Sequence, residues 1–145
     1  MQRLSTLLRQ KGYTRIPLKK VASGHYICSA EINGVLGTFI VDTGASHTCV
    51  DLEMEATFKL TAIETEHQAA TASSQDVDTK HSEGNQLTVG TWETKHQELI
   101  LLDLDTVNAT LNKLGVKKID GILGADLFHN AKAVLDYGRS GLYLK

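Results

Sequence analysis

Cysteine is scarce in this 145-residue chain: Cys28 and Cys49 are the only two. Two thiols in a chain of this size do not make a disulfide scaffold. Each sits among apolar neighbours and is expected to pack as a small hydrophobe, which fits a reducing compartment. Long apolar runs are also missing. The stretch Met1–Lys11 is too polar for a signal peptide, and no later run approaches membrane-spanning length, so the expectation is a soluble, cytoplasmic protein with no membrane partner. A formal charge of -2 with mixed signs gives no reason to expect nucleic acid as a partner. The six histidines (25, 47, 67, 81, 96 and 129) form neither an HExxH motif nor a Cys/His ligand spacing, so no metal and no other cofactor is expected. No G-x-S-x-G elbow and no phosphate-binding glycine loop occurs. Asn108-Ala109-Thr110 fits a glycosylation acceptor but falls in a predicted helix, and is discounted.

What is present centres on Thr38–Ser46. Phe39, Ile40 and Val41 are β-branched or aromatic and read as a buried strand, so Asp42 is expected at the end of a rigid, dry element. Ionising an acid in such a place is costly unless another group shares the charge. Thr43 brings a short hydroxyl. Gly44 tolerates positive φ and allows close approach of another backbone. A second stretch, Ile119–Phe128, pairs Asp120-Gly121 with Ile122-Leu123-Gly124 and leads into a short helix around Ala125-Asp126-Leu127-Phe128.

These two marks, about 80 residues apart with strand-like sequence between them, resemble the retropepsin-like aspartic proteases, over roughly Tyr26–Leu144 and most closely the short cellular and bacterial members. The resemblance implies a mainly β, closed-barrel fold with two or three short helices and one lobe per chain, since the length is far too small for two full lobes. It divides the chain into an N-terminal helix-and-strand extension, 1–25, and a protease domain, 26–145.

In order, Leu4, Leu7 and Leu8 recur at helical spacing with Gly12 as the stop. Tyr13–Leu18 reads as a strand whose Pro17 marks an edge. Asn33-Gly34 between Tyr26–Ile32 and Val35–Val41 is the strongest two-residue hairpin signal. Thr48–Val50 resumes a strand, and Leu52–Leu60 has the spacing of one or two helical turns. The arms 62–67 and 77–81 flank the small, polar stretch 69–75, where the family's flap would fold over substrate. Here that stretch has neither glycine nor aromatic residue, and a plain surface loop is the alternative. Gln86–Val89, a turn at Gly90 and Trp92–Leu102 read as another hairpin with Leu99–Leu102 deeply buried. Asp105 or Thr106 is expected to cap a helix through Leu111 and Leu114, closed by Gly115. Ala133–Tyr137 and Leu142–Leu144 read as a terminal hairpin, whose last strand in the family builds the dimer sheet.

The implied chemistry is peptide hydrolysis. Two carboxylates must share one proton, and the chain has one Asp-Thr-Gly, so a homodimer would set Asp42 beside its symmetry mate, with Thr43 hydroxyls reaching across. By the resemblance Thr43 and Gly44 support the site, while Gly44, Ala45, Ser46, Ala72 and Ser73 meet a peptide or protein substrate. Ile122, Leu123 and Gly124 form the structural element behind the catalytic turn. Asp120 or Asp126 could instead supply a second acid within one chain; the preferred roles are loop fixing for Asp120 and helix capping for Asp126. His47 adjoins the site and either tunes it or is a plain surface or core-edge histidine. Two other readings stand beside this one: a catalytically inactive dimerisation or peptide-binding module, and an enzyme active only after removal of the segment before Tyr26.

Overall fold

The computed structural model of the chain describes residues 1–64, 69–70, 76–77 and 79–145. In chain order its elements are α1 (Leu4–Gln10), β1 (Thr14–Pro17), β2 (Lys19–Lys20), β3 (Tyr26–Ile32), β4 (Val35–Val41), β5 (Cys49–Asp51), a 3-10 turn (Leu52–Met54), β6 (Ile63–Glu64), β7 (Ala69–Ala70), β8 (Asp76–Val77), β9 (Lys80–Val89), β10 (Trp92–Leu102), α2 (Asp105–Lys113), β11 (Gly121–Leu123), α3 (Ala125–Asn130), β12 (Val134–Asp136), a second 3-10 turn (Tyr137–Arg139) and β13 (Gly141–Leu144). The fold is mainly β, as expected. Strands β3, β4, β11, β5, β10 and β9 follow one another around a ring, and pairing of β3 with β9 through Glu31↔Thr88 and Ile32↔Leu87 closes it into a six-stranded barrel.

Local chemistry sets the hairpin that carries Asp42. Asn33 and Gly34 hold φ of 51° and 83°, the pair of left-handed residues that a two-residue turn of matching twist requires. Asn33 also reaches outside its turn. Its N–H donates to the Gln86 carbonyl at 2.9 Å, its Oδ1 accepts from the Gln86 N–H at 3.0 Å, and its amide donates to the Phe58 carbonyl at 2.8 Å. The turn thereby helps clasp β3 to β9.

Strand β4 explains its unbroken apolar run. Phe39 faces the barrel core with Val50, Leu87, Leu99, Leu101 and Leu123, while Ile40 belongs to a second cluster with Leu104, Leu111, Val116 and Ile119. A strand buried on both faces reads as continuous rather than alternating hydrophobicity. Strand β10 is different. Leu99 and Leu101 are fully buried, but Ile100 and Leu102 are only half-buried, so the expected block of four deeply buried residues resolves into ordinary alternation. Strand β9 is longer than the sequence suggests. It continues through Ser82–Asn85, where Gly84 takes φ of 69° and the pairing with β10 shifts register.

Helix α2 corrects an expected cap. Neither Asp105 nor Thr106 caps it; the N-cap position is Leu104, and Asp103 Oδ1 accepts the Asp105 N–H at 2.8 Å. Its end does follow the glycine signal. Gly115, at φ 74°, donates to the Asn112 carbonyl and Val116 donates to the Leu111 carbonyl, each at 3.0 Å, while Val116 and Leu111 are buried in one cluster.

The segment before Tyr26 is woven into the rest. Strand β1 is the edge of a three-stranded sheet β1-β13-β12, pairing with β13 from Thr14↔Leu144 to Pro17↔Gly141, and Ile16 and Leu18 lie in the barrel core. Pro17 sits on the edge strand, as its missing N–H demands. The terminal hairpin forms as expected, with Leu135↔Leu142 in register. The arms of the 62–81 region also pair, Ile63↔His81 and then Ala69↔Val77 and Ala70↔Asp76. Ala72 and Ser73, expected to meet substrate, lie outside the described residues.

Candidate active site

Asp42 is held by backbone from two directions. Parallel pairing of β4 with β11 sets Leu123 level with Val41, and the Leu123 carbonyl accepts the Asp42 N–H at 3.0 Å. The Asp42 carbonyl then accepts the Ala45 N–H at 3.2 Å, and the Ala45 carbonyl accepts the Ala125 N–H at 2.7 Å. Expected placement at the end of a buried strand is found. Expected dryness is not: within one chain the Asp42 side chain is exposed, as are Thr43, Gly44 and Ser46, while Ala45 is half-buried. Among the described residues the carboxylate's one hydrogen bond comes from its own turn, where Gly44 N–H donates to Oδ1 at 2.8 Å. Buried strand ends at Ile40, and among the described residues the turn stands exposed on the rim. Gly44 is not in the left-handed region either. Its small size is what the turn uses, because an added Cβ would sit 3.2 Å from Asp42 Oδ1.

Behind the turn lies a buried scaffold of polar groups. Gly124 packs so closely that a Cβ there would come within 2.7 Å of the His47 carbonyl and 2.8 Å of the Ala45 carbonyl oxygen. Its N–H donates to the Thr48 hydroxyl at 3.1 Å. That hydroxyl donates to Asp126 Oδ1 at 2.7 Å, the Thr48 N–H donates to the same oxygen at 2.9 Å, and Gln97 donates to Asp126 Oδ2 at 3.1 Å. Asp126 therefore does not cap its own helix, which has no side-chain cap; it braces the start of β5 from across the turn. Both Thr48 and Gln97 are buried, where unpaired donors would be costly. Asp120 fixes its loop as expected: its N–H donates to the Thr38 carbonyl at 2.8 Å, and its Oδ2 accepts the Thr38 N–H at 2.9 Å. The next residue must be glycine, since a side chain on Gly121 would collide with the Cys49 carbonyl and the Phe39 ring.

Two open hollows flank the turn. Asp42 and Thr43 border one of about 440 Å³ together with Lys20, His25, Tyr26 and Tyr137, whose rings pack 5.3 Å apart. Thr43 also borders the other, against Phe128, His129 and Lys132. Thr43's hydroxyl has no hydrogen-bond partner among the described residues. His47 is exposed and its Nδ1 meets the Ser46 hydroxyl at 3.0 Å; it makes no bond to Asp42. The two thiols are free and buried. Burial pushes Cys28 up to about 12 and, with smaller contributions that include the Asp126 and Asp42 charges, does the same to Cys49, so both are inert apolar fillers rather than nucleophiles.

A family model described as Aspartyl protease matches residues 28–127. The chain belongs to that family. The match includes Asp42-Thr43-Gly44, Ile122-Leu123-Gly124 and Asp126, and stops short of β12 and β13. Three solved structures show the same retropepsin-like fold. A retropepsin-like aspartic protease from Rickettsia conorii aligns with 22% identity and a TM-score of 0.57 over 91% of each chain. The EIAV protease, complexed with the inhibitor HBY-793, aligns at 14% and 0.55 over 76% of this chain and 90% of that one. The retroviral protease-like domain of Ddi1 from Leishmania major aligns at 11% and 0.54, covering 90% and 88%. None of the curated proteins compared matches the chain.

For this member of the aspartyl protease family, sequence reasoning found the turn and its glycine element but missed what braces them. Thr48, Gln97 and Asn85 carry no motif. Asn85 donates to the Ser82 hydroxyl and the Gln97 carbonyl and accepts from Asn33, so that hydrogen bonds run from the hairpin turn through Asn85 and Gln97 to Asp126. The one signal that could have found them is polar residues recurring at inward positions of β9 and β10, which only become visible once the register is known.

Proposed function

We propose that the chain is an aspartic endopeptidase whose active unit is a homodimer, with one Asp42 carboxylate from each copy. The observation that carries this reading is an imbalance among the acids. Asp42 stands exposed at the head of a rigid turn with no side-chain partner among the described residues, while Asp120 and Asp126 are both engaged in bracing backbone. The nearby acids are thus committed, and a second copy is the natural source of the other carboxylate.

The two acids would share one proton, because like charges about 3 Å apart cannot both ionise. The ionised member removes a proton from water as the water oxygen attacks the scissile carbonyl carbon, and the neutral member donates to the carbonyl oxygen. Collapse of the tetrahedral species breaks the C–N bond, with a proton passing from the acid pair to the departing amine. Gly44, Ala45 and Ser46 would run beside the bound peptide backbone, with the hairpin of β7 and β8 over it. Contact between copies cannot use the edges of β13, since β1 and β12 already occupy both. The free edges are those of β1 and β12 themselves. Prior removal of the first 25 residues does not fit activation, because it would strip β1 and two core residues, Ile16 and Leu18, from the barrel. The two free, buried thiols suit a cytoplasmic setting.

The test is peptide-library cleavage across acidic to neutral pH, with Asp42→Asn as control and sedimentation of both proteins. Cleavage should vanish in the variant while the dimer persists, since amide and carboxylate are nearly isosteric. Undiminished cleavage by Asp42→Asn would move the chemistry elsewhere. A wild-type dimer that binds peptides at every pH without cutting them would make the chain a peptide-binding module instead.

A further inference from the structure

At the end of β5 opposite the catalytic turn, a buried carboxylate has one oxygen with no partner among the described residues. Asp51 is 1% exposed, its Oδ1 accepts a long 3.4 Å bond from the Glu53 N–H, and its Oδ2 is buried with no hydrogen-bond partner among the described residues. An unpaired buried acceptor of this kind is rare, and it calls for an ion or a water. Two further acids converge there. One ligand oxygen each from Asp51, Glu53 and Asp105 lie within 4.8 Å of one another, which is about twice a Ca²⁺–oxygen distance of roughly 2.3–2.6 Å.

Charge points the same way. Asp103 stands beside Asp105 with one oxygen accepting the Asp105 N–H, and among the described residues the one cation facing the group is Lys118, whose ammonium bonds Glu53 at 2.9 Å and whose side chain is about half exposed. All-oxygen ligands select a hard cation over zinc or copper.

We propose that Asp51, Glu53 and Asp105 bind a Ca²⁺ ion that ties the end of β5, the 3-10 turn at Leu52–Met54 and the first turn of α2 together. Asp51 supplies the buried anchor, and the two exposed acids close over the ion, with water filling the remaining positions. Three ligands, two of them exposed, place the affinity in the weak class, with Kd on the order of 10⁻⁴ M. Where Ca²⁺ reaches that concentration, the ion is structural. It pins the helix whose Leu111, together with the adjoining Leu104, covers the outer face of Ile40, two residues before Asp42.

A second cluster, His81, Glu83 and Glu98 across β9 and β10, serves as the internal control. It contains a histidine, its acids are exposed, and no buried group there lacks a partner. Calorimetric titration of the full chain with CaCl₂, and thermal melting in chelator against about 10 mM Ca²⁺, test the site. One equivalent should bind and raise Tm, Asp105→Asn should weaken binding at least tenfold, and His81→Ala should leave it unchanged. Asp105 is exposed, so its variant will fold. In chelator, Asp51→Asn should melt no lower than wild type, having lost only an unpartnered charge, and should no longer respond to Ca²⁺. Absence of binding and of any Tm shift would overturn the proposal, as would calcium binding that survives Asp105→Asn or depends on His81. Neither readout involves proteolysis, so the site stands or falls independently of the catalytic reading.

Discussion

Asp42 and Asp126 flank the same turn, yet their surroundings are opposite. Asp126 collects the Thr48 N–H, the Thr48 hydroxyl and the Gln97 amide, two buried residues held by one carboxylate. Asp42 takes a single N–H from its own turn and faces outward. The acid that shapes the site uses up the local donors, and the acid at its tip is left free for a partner outside the chain. If the proposed function holds, stability and reactivity are thereby assigned to different carboxylates around one turn.

The sharpest way to break this comparison is to truncate each acid and melt the products. Asp126→Ala leaves buried donors on Thr48 and Gln97 unpaired and should cost roughly 2–4 kcal/mol. Asp42→Ala should change stability by less than about 0.5 kcal/mol, as an exposed site does. Equal losses in the two denaturant curves would erase the distinction.

Cys49 offers a subtler probe because it feels both charges. Native protein should resist a thiol reagent at neutral pH. The sign of the pH effect follows from a folded pKa raised to about 12 above an ordinary thiol value: stability from the two buried thiols is fully present below about pH 9 and is lost as pH rises toward 12. Asp42→Asn should let Cys49 ionise slightly more readily, and rapid labelling of both cysteines at neutral pH would show that the wall behind the turn is open.

A smaller effect than the loss of Asp126 concerns the helix that carries that acid. Its C-terminal stop places Lys132 at φ 48°, a conformation glycine adopts without strain, while Ala133 N–H closes onto the Phe128 carbonyl at 2.8 Å. Lys132→Gly should raise stability by about 1 kcal/mol, read as a higher Tm with the Asp42 turn unaffected. A loss on that substitution would mean that the lysine side chain, beside the hollow next to Thr43, holds something the backbone argument omits.

How far the sequence spoke depends on range. Asn33-Gly34, the apolar run into Asp42 and Ile122-Leu123-Gly124 are local signals, and each of these elements appears where its residues place it. Gly121 and Gly124 could be recognised as a motif, although the reason for them is steric contact with residues far along the chain. The exposure of Asp42 could not be read, because burial of a strand says nothing about what covers its end. The cap of α2 was misjudged by two residues, since Asp103, Asp105 and Thr106 are equally able acceptors and only the backbone chooses among them. Thr48, Asn85 and Gln97 were invisible for a common reason: each acquires meaning from a partner that pairing across the barrel brings near.

Strand β13 has both flanks filled from within its own chain, by β1 on one side and β12 on the other. That sheet is thereby completed around β13 without a second copy, so the pairing proposed above would add to it rather than build it. Dilution would part such copies without melting either of them, so an activity that needs both would fade and return with concentration alone, reversibly and at native secondary structure.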